Sequence, residues 1–235
     1  MNARTLSQLL RLTVPLALFT LMPLVSASAA PFSPITQSGL FTTDDQNVPY
    51  SFHLDSTQAL YFYTTSYAGG LNADGTTSAS EGFDPILTLF DGTGAFLEQN
   101  DDNTSAYNRP DAETGAAYDA FINRELTAGD YTLVVTQFDN IAKSQSGLAG
   151  DLAQGFTRDG QGNFTSSLDL ANGTGPFYDA SSSPGDQNTG SYTLNVSAAP
   201  PAVPEASTTL SLGLLLALGL GGLIVTARKR QVTAK

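Results

Sequence analysis

From Gly39 onward the hydrophobic pattern of this chain repeats every two residues, and no segment before its C-terminal tail sustains a helical period over three turns. A two-residue period puts successive side chains on opposite faces of an extended backbone, so it selects strands and denies a helix its apolar stripe. Ser51-Phe52-His53-Leu54 alternates, and Ala59-Leu60-Tyr61-Phe62-Tyr63-Thr64-Thr65 is aromatic and β-branched. Ile86-Leu87-Thr88-Leu89-Phe90 is a short apolar run closed by Asp91-Gly92-Thr93-Gly94, after which Ala95-Phe96-Leu97-Glu98-Gln99 completes a hairpin. A further strand is expected over 118–123. The clearest is Ala128-Gly129-Asp130-Tyr131-Thr132-Leu133-Val134-Val135-Thr136. Its Gly-x-Tyr-Thr-Leu-x-Val opening recurs at Gly190-Ser191-Tyr192-Thr193-Leu194-Asn195-Val196, which predicts two equivalent positions in a sheet. The fold class is therefore all-β, about eight strands in a two-sheet, jelly-roll-like sandwich.

The two ends read differently. Arg4 and Arg11 precede an apolar stretch over 12–25 that runs into Ala27-Ser28-Ala29, the layout of a secretory signal peptide over 1–29. Its expected partners are the Sec translocon and signal peptidase. Residues 30–197 suffice for one domain with a sizeable core. A Pro-rich spacer over 198–208 precedes an apolar run over 209–227 long enough for a transmembrane helix, and Arg228, Lys229 and Arg230 form a basic stop within a cytoplasmic tail over 228–235. The reading gives a fold class with a C-terminal transmembrane helix, and a domain exported and held to the membrane by it or released to the cell surface or matrix.

All 22 acidic residues precede the apolar run, against Arg109, Arg124, Lys143 and Arg158 in the domain, and cysteine is absent. Such a surface repels nucleic acid, and no disulfide or thiolate chemistry is open to the chain. The lone histidine, His53, reads as a strand residue. Residues 142–188 are rich in Gly, Ser, Asn and Asp yet carry Phe156, Phe164 and Phe177, which predicts a long ordered insertion.

Val203, Pro204, Glu205 and Ser207, followed by the apolar run and basic stop, resemble the PEP-CTERM sorting signal, with Ala206 where that family usually has a second proline. The resemblance implies an exosortase as partner and retention with exopolysaccharide.

Asp84, Asp91, Asp101 and Asp102 bracket the expected hairpin. Hard cations take six to eight oxygens from such residues, so a calcium site assembled across loops is one reading. Ordinary turn chemistry is the other, since Asp and Asn bond their own backbone in turns. Asn72, Asp74, Gly75 and Glu81 also fall at EF-hand-type places, but Gly70 stands where the first carboxylate belongs and the flanks are not helical. The series Gly82-Phe83-Asp84-Pro85-Ile86-Leu87-Thr88-Leu89-Phe90, Asn100-Asp101-Asp102, Ala128-Gly129-Asp130-Tyr131-Thr132-Leu133 and Thr136-Gln137-Phe138-Asp139-Asn140 resembles the DVUA0089 family of secreted bacterial proteins. The stretch from Phe83 to Asp102, with that after Gly129, is also similar to bacterial pre-peptidase C-terminal domains. That similarity implies a small β-sandwich and a Ca²⁺ ion at Asp84, Asp101 and Asp102 as the only cofactor.

With no catalytic constellation in view, the expected function is a non-enzymatic, calcium-stabilised, matrix-associated protein. The alternative is a carbohydrate-binding module using Tyr63, Tyr67, Tyr107, Phe177 and Tyr178 against sugar faces. A second alternative is a hydrolase with two carboxylates among Asp84, Asp101, Asp102 and Asp119.

Overall fold

A computed structural model of the chain describes residues 32–107, 109–145, 151–167, 176–179 and 186–202. In chain order the strands are β1 (Ile35–Leu40), β2 (Asn47–Leu54), β3 (Gln58–Thr64), β4 (Gly70–Leu71), β5 (Thr77–Ser78), β6 (Pro85–Asp91), β7 (Phe96–Asn100), β8 (Phe121–Leu126), β9 (Gly129–Gln137), β10 (Tyr178–Asp179), β11 (Asp186–Gln187) and β12 (Ser191–Ser197). Two four-stranded sheets, ordered β1-β12-β3-β8 and β2-β9-β6-β7, form the sandwich. The pairing is nested: β1 lies on β12, β2 on β9, β3 on β8, and β6 on β7, all antiparallel. The eight longer strands are thus one long hairpin rolled over itself, the order of a jelly roll.

Alternation explains which side of each strand faces inward. Leu54, Leu60, Phe62, Leu87, Leu89, Leu133, Val135, Leu194 and Val196 share the core between the sheets. β6 departs from alternation because it is covered on both sides. Phe90, with Val134 of the adjacent β9, turns outward to meet Ala142 and Phe156 from the segment after β9. Two covered faces convert an alternating strand into a continuous apolar run. Phe156, Phe164 and Phe177 of the expected insertion are all buried, Phe177 stacked on Phe83 at 5.5 Å in the main core.

The recurring Gly-x-Tyr motif does mark equivalent places, but one in each sheet, since β9 and β12 are each second in order. Tyr131 and Tyr192 both enter the core. The two glycines serve different ends. Gly129 adopts a φ of 153°, which side-chain-bearing residues rarely take, whereas a side chain at Gly190 would collide with the Phe41 carbonyl and the Phe177 ring.

Two expectations shift. β1 escapes the periodicity because Ile35-Thr36-Gln37-Ser38-Gly39-Leu40 is mostly polar and Leu40 is 67% exposed; pairing with β12 alone makes it a strand. The strand expected from 118 begins at Phe121, because Tyr118 packs its ring on Tyr67 at 4.9 Å and Asp119 turns into the protein.

The transmembrane component is corrected. No helix among the described residues is long and apolar enough to cross a membrane. The helical elements there are two three-residue 3₁₀ turns, Leu152–Gln154 and Thr165–Ser167. At about 2 Å per residue each spans roughly 6 Å, against a hydrocarbon core of about 30 Å. The membrane partner and the membrane-anchored localisation drawn from that helix, with the partner interactions tied to anchoring, fall with it. The run over 209–227, the signal peptide over 1–29, Val203, Pro204, Glu205 and Ser207, and Arg228, Lys229 and Arg230 all lie outside the described residues.

Leu133 is fully buried between the sheets. Leu133→Ala is expected to lower unfolding free energy by about 2–5 kcal/mol in urea titrations, whereas Leu40→Ala on the exposed edge is expected to change it by less than about 0.5 kcal/mol.

Candidate functional site

The β6–β7 hairpin decides which acidic residues meet. Leu87 pairs with Asn100, so Asp84, just before β6, and Asp101 and Asp102, just after β7, emerge at one end. Ligand oxygens of these three carboxylates lie within 4.8 Å of one another. Asp91 sits at the turn, and seven residues at about 3.3 Å each place it roughly 23 Å along the strand from Asp84. The structure therefore brings together three of the four aspartates expected to act as ligands. Asp91 is instead a turn former: its Oδ1 accepts from the Thr93 amide at 2.8 Å, the Thr93 hydroxyl at 2.6 Å and the Ala95 amide at 3.0 Å. Those hydrogen bonds, led by the Thr93 hydroxyl, hold its pKa below the ordinary value.

At the triad, three carboxylates crowd one another. Asp84 is 7% exposed, and Asp101 Oδ1 is buried with no hydrogen-bond partner. Burial, then the charges of Asp102 and Asp139, push the Asp101 pKa up from 3.8 to about 7. Asp139 was not among the expected ligands. It follows β9, whose Gln137 pairs with Pro85, and the Phe138 amide donates to the Asp84 carbonyl at 2.8 Å. Its only sequence signal was an acidic residue just beyond the strongest strand. Arg158 pairs with it through Nη2 and Oδ2, so Asp139 already has a counter-charge.

Several other aspartates have found donors. Asp119, 6% exposed, accepts at Oδ1 from the Ser66 and Tyr67 amides and the Thr64 hydroxyl, and at Oδ2 from the Ala68 amide. Burial raises its pKa while those bonds oppose the rise. Asp44 likewise accepts from the Thr165 amide and hydroxyl and from the Phe177 amide. In the EF-hand-type stretch, Asp74 accepts from the amide and hydroxyl of Thr76, and Asn72 from the Thr65 and Ser78 hydroxyls. The β4–β5 hairpin is therefore held by its own polar groups.

Three carboxylates this close repel unless a proton or a cation sits among them. Asp119, considered for a carboxylate pair, is committed to the Thr64 hydroxyl and the amides of residues 66–68. His53 lies exposed on β2, its Nδ1 2.7 Å from Asp130, whose hydrogen bond raises its pKa. Of the aromatics considered for sugar stacking, Tyr67, Phe177 and Tyr178 are buried, while Tyr107 is half-buried beside Phe121.

No family model and no curated protein matches the chain, so neither the DVUA0089 family nor the sorting signal gains support from a match. Among solved structures, the pre-peptidase C-terminal domain of a collagenase from Bacillus anthracis is a distant likeness, 12% identical with a TM-score of 0.31, covering 69% of this chain and 86% of that one.

Asp101 carries a pH signature. With no cation present, the folded chain keeps a proton on Asp101 between about pH 4 and 7 that the unfolded chain has already lost. Stability is therefore expected to fall as pH rises through that window and to level off above it. Denaturation in EDTA at about pH 5 and about pH 8 should show the difference, and Asp101→Asn should shrink it. His53, whose raised pKa also lends stability that is lost with rising pH, remains in both proteins, so their difference isolates Asp101.

Proposed function

We propose that the chain is a non-enzymatic, matrix-associated β-sandwich whose jelly roll is closed at one end by a divalent cation, calcium above all, bound by Asp84, Asp101 and Asp102. The observation that carries this reading is the convergence of three carboxylates within 4.8 Å, one oxygen of which is buried without a donor. Backbone or side-chain donors would serve ordinary turn chemistry, and Asp91, Asp74, Asp44 and Asp119 all have them. At Asp101 the buried oxygen has no donor, and a cation would relieve the repulsion among the three carboxylates.

Calcium suits the donor set better than a softer metal, since the oxygens are all carboxylate and the chain has no cysteine. Its tolerance of six to eight ligands in irregular geometry also suits two consecutive loop residues facing a strand start. The ion would tie the entry of β6 to the exit of β7, and the Phe138 bond to the Asp84 carbonyl would extend the tie to β9. Three adjacent strands of one sheet would then share one clamp. The matrix association rests on sequence resemblance and on the acidic, cysteine-free composition.

Melting temperature in EDTA against calcium tests the reading. At a calcium concentration of about 100 Kd the native state gains about 2.7 kcal/mol, a rise of several degrees for a domain of this size. Asp84→Asn and Asp102→Asn are each expected to abolish most of the rise, while Asp91→Asn, at the far end of the hairpin, leaves it in place. A rise no larger than an equal ionic strength of sodium chloride produces would reject the site.

A further inference from the structure

On the outer face of the other sheet lies a pocket of about 340 Å³, counting the part open to solvent, lined by Tyr63, Asn103, Tyr107, Arg109 and Phe121 among others. We propose that this pocket binds a carboxylate-bearing sugar, a uronate, with Arg109 and Tyr63 taking the carboxylate and the Tyr107 and Phe121 rings taking the sugar face.

Tyr63 presents an uncommitted hydroxyl to this pocket. Tyr63 is 6% exposed and faces the pocket, yet among the described residues its hydroxyl forms no hydrogen bond. The hydroxyl is thus open to a ligand entering the pocket. Arg109 stands close enough for its charge to oppose the rise that burial gives the Tyr63 pKa. The guanidinium lies over Gly70, where any side chain would strike it, and donates one bond to the Ala202 carbonyl at 3.1 Å. Among the described residues it has no carboxylate partner. Asn103 adds a third donor: its Oδ1 is taken by the Ser105 amide and hydroxyl, which leaves its amide nitrogen.

Donors therefore gather here without matching acceptors. The one carboxylate of the lining, Asp119, spends its oxygens on Thr64 and on the amides of residues 66–68. A surplus of donors around a fork-shaped cation selects a planar, bidentate anion, which a carboxylate is. The remaining wall is aromatic, with Tyr107 and Phe121 centroids 5.3 Å apart and Tyr61 edge-on to Tyr107 at 6.1 Å. Flat rings beside an anion site fit the C–H face of a sugar better than a flexible acidic side chain. Much of the pocket volume is open to solvent, so a sugar ring would lie across a shallow cleft rather than inside an enclosed cavity. Nothing in this argument uses the cation triad.

The test is calorimetric titration of the full chain with trigalacturonate, maltotriose and a triglutamate peptide, in EDTA and again in calcium, so that loss of the cation and loss of the pocket are told apart. Trigalacturonate is expected to bind in at least one condition and maltotriose to bind at least about tenfold more weakly. Arg109→Ala should weaken trigalacturonate about tenfold or more, and Arg109→Lys should not restore it, since a lysine lacks the fork. Tyr63→Phe, which keeps the ring, should weaken it several-fold at unchanged melting temperature. No binding in either condition, equal binding of maltotriose, or an Arg109→Ala variant that binds normally would overturn the proposal; tighter binding of triglutamate would overturn the sugar assignment.

Discussion

Rolling a hairpin into two sheets requires the chain to cross repeatedly from one sheet to the other, and each crossing carries amide groups that no strand will satisfy. The rest of this structure depends on how those amides are met. Asp119 meets them after β3, where four donors from residues 64–68 converge on one carboxylate. Asp44 does so between β1 and β2, tying Thr165 and Phe177, which lie over 100 residues away in sequence, to the same corner. Unmet, each such amide would cost about 1–3 kcal/mol. An aspartate is short, holds two oxygens and loses little freedom on burial, so it serves as a compact hub.

The same residue type has the opposite situation at Asp84, Asp101 and Asp102. There three carboxylates lie within reach of one another, and burial of Asp101 raises the cost of its charge. What separates a structural clamp from this carboxylate cluster is therefore not the acidity of the loop but the company each carboxylate keeps. The hairpin register sets that company, because it brings the ends of two loops together across β6 and β7.

The two outer faces of the sandwich are finished in different chemistry. Over the β2-β9-β6-β7 sheet an apolar cover of Ala142, Leu152 and Phe156 seals Phe90 and Val134. Over the other sheet the cover is polar, with Asn195 bonded to Thr36, Thr65 and Ala73, and Ser78 to Thr193. A polar cover can stop short of the sheet edge without exposing core. The pocket beside Tyr63 and Arg109 occupies the place where it stops.

The sequence by itself determined the strands that bury one face against the core, the hairpin at Asp91-Gly92, the kinship of the Gly-x-Tyr segments and the absence of thiol chemistry, because each is written in a period or in a residue's own conformational preference. Tertiary structure alone decided β1, whose polar residues become a strand only through β12, and the partition of aspartates into clamps, turns and a triad. It also decided that Tyr63 and Arg109 share a pocket though 46 positions separate them. Local preference acts within a few residues, whereas donor counts and charge repulsion are properties of groups brought together by the fold.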